Sequence, residues 1–185
     1  NNPNFKKINE KIKALLLTNK SLKIYPMPSY TFKAFSITRA EWVKVVFLGQ
    51  DPYFKSHIYD GKNVPEAMGL SFSVADDIPI PSSLNNIFDN MIKYGHLKKK
   101  PNTGNLWYWA YQGCLMLNVA LTVEHDSKKS HTSMWQWFTD YVIKYISDNM
   151  DDIIFVLWGS DAHAKINLID LDKHEVIQTT HPSGL

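Results

Sequence analysis

Four apolar runs in this chain each break off at a polar cluster: VKVVFL before Gln50 and Asp51, LML before Asn118, IIFVLW before Gly159 and Ser160, and EVIQ before Thr179, Thr180 and His181. Near-continuous runs of this kind belong to strands buried on both faces, as in parallel sheets. Open α/β sheets hold their ligands in the crevice beyond the carboxyl ends of their strands. The pattern therefore predicts one site that gathers Asp51, Asn118, Ser160 and His181.

Helical spacing fills the gaps between the runs. Phe5, Ile8, Ile12, Leu15 and Leu16 recur at intervals of three and four, which puts them on one face of an N-terminal helix. Leu84, Ile87, Phe88, Met91 and Ile92 do the same, with Ser82 or Ser83 placed as N-cap. Met134, Trp137, Phe138, Tyr141, Val142, Tyr145 and Ile146 trace a longer helix, and a short one is expected over 162–166. Strands alternating with helices are the α/β signature. With 185 residues, 44% hydrophobic and 13% aromatic, the chain can bury one good core, so residues 1–185 read as a single domain.

Composition excludes more than it suggests. A formal charge of +2 is too mild to mark the whole molecule as a polyanion binder, although a local basic face is compatible with it. Cys114 stands alone, so no disulfide framework or CxxC metal site can form within the chain, and it reads as a small core hydrophobe. No apolar run approaches the roughly 18 to 20 residues that span a bilayer, and no signal peptide is visible, so a soluble intracellular protein is expected. Because it begins at Asn1 and not at methionine, the chain reads as a fragment. GxGxxG, GxxxxGKS, GxSxG and HExxH are all missing, and Ser160, Asp161 and His163 are too close in sequence to make a triad.

The segment GQDPYF carries the most chemistry per residue. Pro52 fixes its own φ and pushes Asp51 out of the helical region, so the carboxylate sits on a rigid extended turn. Such an Asp is either a general base or the side chain of an ordinary Asx-type turn. Taken together with GLSFSV, WAYQGCLMLNVALTV, LWGS and HPSGL in the same order, GQDPY resembles the family 1 uracil-DNA glycosylases. The likeness includes YPMPSYTF before the first strand and SHTSMWQWFTD on the long helix, and five motifs at compatible spacing are far more specific than any one alone.

The resemblance implies a three-layer α/β/α domain around a central, mostly parallel four-stranded sheet. It implies an enzyme that flips uracil out of single- or double-stranded DNA and hydrolyses its N-glycosidic bond, leaving an abasic site and starting base-excision repair. No cofactor and no catalytic metal are expected, and the protein should be a monomer, with repair or replication proteins as further partners. Asn118 would read the uracil edge, where cytosine shows the opposite donor–acceptor pattern; by itself it is equally a satisfied loop amide. Phe72 would stack on the flipped base, and Tyr53 would exclude the thymine methyl; each is also a plausible core aromatic. The backbone of Gln50 would contribute to the pocket. His181 would donate, while neutral, to uracil O2, and Asp51 would stabilise the oxocarbenium-like sugar and orient water. Ser83, Ser160 and Ser183 would grip phosphates, Ser83 and Ser160 doubling as helix caps, and Leu185 would be the minor-groove wedge.

Four departures from the family pattern stand out. Phe54 replaces a histidine, which leaves water positioning in doubt. The loop over 54–68 is longer than usual, and His57 within it is a weak candidate to replace that imidazole. Gly184 stands where the family has proline, and should loosen the wedge loop. The sequence given stops at Leu185, where the family continues through an RGFFG-like stretch and a last helix, so the chain reads as lacking the family's C-terminal segment. A rival reading is a DNA-binding accessory or processivity protein on the same fold, which loss of the Asp or the Asn would favour; both are present. Lys98–Lys100 and Lys128–Lys129 read as solvated lysines that add electrostatic steering.

Overall fold

The structure, a computed structural model, describes residues 3–183. In chain order it contains α1 (Pro3–Thr18), β1 (Ile24–Tyr25), α2 (Lys33–Ile37), β2 (Val45–Gly49), β3 (Ser56–Tyr59), β4 (Lys62–Pro65), α3 (Ser82–Lys93), α4 (Trp107–Tyr111), β5 (Cys114–Asn118), β6 (Val123–Glu124), α5 (Thr132–Asn149), β7 (Ile154–Trp158), α6 (Ser160–His163) and β8 (Glu175–Thr179), with three short 3-10 turns between them. The four apolar runs are the four strands of one sheet in the order β5-β2-β7-β8, and every neighbouring pair is parallel. From β2 the chain crosses first to β5 on one side and then to β7 on the other. The carboxyl end of β2 is thus the topological switch point, and GQDPYF begins there.

Alternating side chains of the strands feed two cores. Val46, Leu48, Leu115, Leu117, Phe155 and Leu157 pack with Ile8 of α1 and with Met134, Ile143 and Ile146 of α5. Phe47, Met116 and Trp158 point the other way, toward Leu84, Ile87 and Phe88 of α3 and Ala110 of α4. Layers of helix, sheet and helix result, as expected. Each fully buried leucine in this sheet contributes on the order of 1.5–3 kcal/mol, so the strands hold together with little help from their ends. That frees the ends for polar residues.

Several local expectations are corrected. The N-cap of α3 is Pro81, with no side-chain cap, so Ser82 and Ser83 lie inside the first turn. Gly159, not Ser160, caps α6, because the chain needs φ of +88° there to turn out of β7. The expected helix over 162–166 stops at His163 and gives way to a 3-10 turn over Ile166–Leu168. On α5 the buried face is rotated: Trp135, Thr139 and Ser147 are buried, while Tyr141 and Tyr145 are exposed. Thr139 and Ser147 satisfy this because their hydroxyls bond Val119 O at 2.9 Å and the Asp170 N–H at 2.7 Å. Leu16, expected on the buried face of α1, is exposed. Cys114 opens β5 only half-buried. The long 54–68 loop is built around an antiparallel hairpin, β3–β4.

Candidate active site

The carboxyl ends of the strands open onto a cleft of about 470 Å³. Asp51, Asn118, Ser160 and His181 all line it, together with Gln50, Tyr53, Phe72, Ser83 and Ser183. Leu185 and Gly184 lie outside the described residues.

Asn118 is the last residue of β5, opposite Gly49 on β2. Its side chain is only 7% exposed, and its carboxamide has no protein hydrogen-bond partner among the described residues. Asn118 is not a satisfied loop amide: its carboxamide lines the cleft with donor and acceptor free of protein partners among the described residues, available to a ligand. Gly49 makes room for it, since a Cβ there would collide with Asn118 Oδ1 and crowd Ser71 and Phe72. Phe72 holds φ of +61°, a left-handed conformation that costs a residue other than glycine on the order of 1–2 kcal/mol. The strain turns its ring toward Trp158 and His181, at 5.1 and 5.8 Å between centroids. Phe72 is both a core residue and a wall of the cleft.

Asp51 does not close its own turn. Its Oδ2 accepts the Lys129 backbone N–H at 2.8 Å and its Oδ1 accepts the Thr132 hydroxyl at 3.4 Å, both from the segment that leads from β6 into α5. Burial, more than these two bonds offset, pushes its carboxyl above the ordinary value of 3.8, and the nearby Asp161 carboxylate adds to the rise. Tyr53 donates to or accepts from Ser83 Oγ at 2.9 Å and donates to Phe72 O at 3.3 Å; burial raises its phenol, so it stays protonated. Ser83 is buried and committed to that bond, whereas Ser160 is exposed at the rim.

His181 follows β8 and is held locally. Its Nδ1 accepts the Ser183 backbone N–H at 3.1 Å and lies 3.0 Å from Ser183 Oγ. With Nδ1 an acceptor, the neutral ring carries its proton on Nε2. Burial lowers its pKa, and the Lys128 cation lowers it further. Gly159 packs against this ring; a Cβ there would come within 3.0 Å of His181 Cβ. Asn86 of α3 donates to Pro182 O at 2.7 Å and pins the same turn.

Phe54 packs on Tyr25, Ala67 and Val123, with Lys128 Nζ 5.3 Å from its ring centroid. His57 does not stand in for the missing imidazole: its Nε2 is 2.9 Å from Glu66 Oε1, and Glu66, not His57, reaches the cleft. Lys100 pairs with Asp89 at 2.6 Å, away from the cleft. Three cleft-lining groups were not placed at the site by the sequence reading, Glu66, Lys128 and Asp161, and neither was Lys129, which reaches Asp51 without lining the cleft. Lys129 and Asp161 were legible only as a solvated lysine and a discarded triad member, because their partners lie 32 to 111 positions away. Among the described residues no cluster of three or more His, Cys, Asp or Glu side chains is placed to hold a metal ion, and no helix is long and apolar enough to cross a membrane.

A family model described as the uracil DNA glycosylase superfamily matches residues 35–185. The chain belongs to that family. The uracil-DNA glycosylase of Helicobacter hepaticus is 45% identical over 170 residues, 91% of this chain and 72% of the relative. That of Campylobacter hominis is 45% identical over 184 residues, 99% of this chain and 74% of the relative. Among solved structures, mimivirus uracil-DNA glycosylase superposes with a TM-score of 0.86 at 37% identity, covering all of this chain and 70% of the other. The glycosylase's parallel sheet and its flanking helices are thus those of its family's fold.

Proposed function

We propose that this glycosylase removes uracil from DNA by hydrolysing the bond between the base and C1′ of its sugar. The observation that supports it best is the unpaired carboxamide of Asn118, buried in the same cleft as Asp51 and His181. A flipped uracil presents O4 as acceptor and N3–H as donor, which one carboxamide can satisfy at once. Phe72 stacks on the base and Tyr53 blocks a methyl at C5.

As the C1′–N1 bond breaks, its electron pair leaves with the uracil and positive charge grows on the sugar. His181 donates from Nε2 to O2 of the departing anion, and a preorganised neutral donor needs no full proton transfer to act. Asp51 sits opposite, stabilises the oxocarbenium-like sugar and takes the proton of the attacking water, whose oxygen bonds to C1′. The products are free uracil and an abasic site. Ser160 and Ser183 hold the flanking phosphates, and Leu185 wedges the emptied stack. Ser83 acts mainly through Tyr53. The glycosylase works as a monomer inside the compartment that maintains the DNA it serves.

The test is base release from an oligonucleotide with a single uracil, beside thymine and cytosine controls. Release from the uracil strand alone is expected. Tight DNA binding without release would sink the enzyme and favour a DNA-binding accessory protein.

A further inference from the structure

A closed circuit of contacts surrounds Asp51. The Lys129 N–H donates to Asp51; Lys129 Nζ pairs with both oxygens of Asp161 at 3.0 and 2.9 Å; Asp161 accepts from Gln50 Nε2; and Gln50 precedes Asp51 in the chain. The circuit joins three segments: the end of β2, the first turn of α6, and the loop between β6 and α5. We infer that Asp161 and Lys129 are positioning residues, a brace that fixes the Lys129 N–H against Asp51. The inference rests on the glycosylase reading above.

The physical case begins at Lys129. Its φ is +61°, a left-handed conformation uncommon for lysine, which a tether on its side chain helps to hold. Asp161 is the fixed post, because α6 follows directly from the buried strand β7 and Ala162 beside it is buried. With the lysine side chain tied to that post, the loop's N–H stays aimed at the carboxylate. Gln50 ties the same post back to the base of Asp51.

The brace is poorly suited to stabilising the fold. The Lys129 and Asp161 side chains are 52% and 32% exposed, and ion pairs that open to water contribute little to stability. An acidic side chain at the mouth of a DNA-binding cleft offers phosphate no attraction and here occupies the Lys129 cation, so Asp161 does not serve binding. A positioning role is the benefit that remains. The charged groups facing Asp51 are Asp161 from α6 and Lys129 from the loop before α5; Lys128, Glu66 and His181 stand farther around the cleft.

Single-turnover uracil release and DNA affinity, measured on Lys129→Met, Asp161→Ala and Asp161→Glu, test the brace. Lys129→Met keeps the N–H and removes only the tether. We expect Lys129→Met and Asp161→Ala each to slow release by about tenfold, the scale of a small misplacement of a reacting group. Melting temperatures should stay at the wild-type value, Asp161→Ala should bind DNA at least as tightly as wild type, and Asp161→Glu should recover most of the rate. The acid limb of the rate profile should move to lower pH in Asp161→Ala and to higher pH in Lys129→Met. Wild-type rates in both variants, or losses that only follow weakened DNA binding, overturn the brace. A wild-type protein that releases no uracil overturns the glycosylase reading and the brace with it.

Discussion

Asp51 and His181 line one cleft, yet they are held in different ways. His181 is set by its own turn: Ser183 two residues on occupies Nδ1, and Gly159 leaves room for the ring. Asp51 is set from a distance, by groups 78 and 81 positions away, Lys129 and Thr132. A short-range device tolerates change elsewhere in the fold. A long-range one makes the carboxylate sensitive to every loop that reaches it.

Asp51→Asn sharpens the contrast most. Uracil release should fall by about 10³-fold, within the span of general acid–base effects, in a single-turnover assay. The same variant should melt higher at neutral pH. Burial raises the Asp51 pKa above its unfolded value of 3.8, so its ionisation costs stability as pH rises through the folded value, and an uncharged isostere removes that cost. A lower melting temperature would show that the Lys129 and Thr132 bonds outweigh desolvation.

His181→Ala comes next, with a loss of about 10²-fold or more for one donor to the developing anion. Its pKa is depressed, so the stability held by the neutral ring is present above 6.5 and is lost as pH falls through the folded value. Activity should fall on the acid side as His181 gains a proton and Asp51 takes one up, and should be level at neutral pH. A rate that rises as pH falls through the folded His181 value would break the neutral-donor role.

Gly49→Ala presses on Asn118, Ser71 and Phe72 together and should cost about 1–3 kcal/mol of stability by overpacking. Uracil release should weaken mainly through KM, and a wild-type KM would show that Asn118 does not hold the base. Ser183→Ala is the mildest change. It removes one hydroxyl but keeps the N–H on Nδ1, so a loss of about two- to tenfold, one ordinary hydrogen bond, is expected in kcat/KM.

The HPS segment was readable as a polar turn at a strand end, whereas its Ser183 bond to His181 and the Asn86 bond to Pro182 from α3 were not. The strand ends were readable too: a run such as IIFVLW can only be buried, and a polar residue directly after it must face the edge of the sheet. The caps of α3 and α6 were misplaced because serines next to a helix start resemble caps, whereas proline and a left-handed glycine turn the chain at these two sites. The buried face of α5 was misjudged because Thr139 and Ser147 are buried through hydrogen bonds that hydropathy does not register.

By itself, the order of residues determined the α/β class, the four strands and the line of Asp51, Asn118, Ser160 and His181 along one crevice. These rest on periodicity and local stiffness, which act over a few residues. Only the tertiary structure decided that Asp51 is gripped by Lys129, that Asp161 links Gln50 to that lysine, and that Asn118 is left unpaired beside Gly49. The first two depend on distant parts of the chain meeting within hydrogen-bond distance and the third on the register of two strands, and none of these leaves a local trace in the sequence.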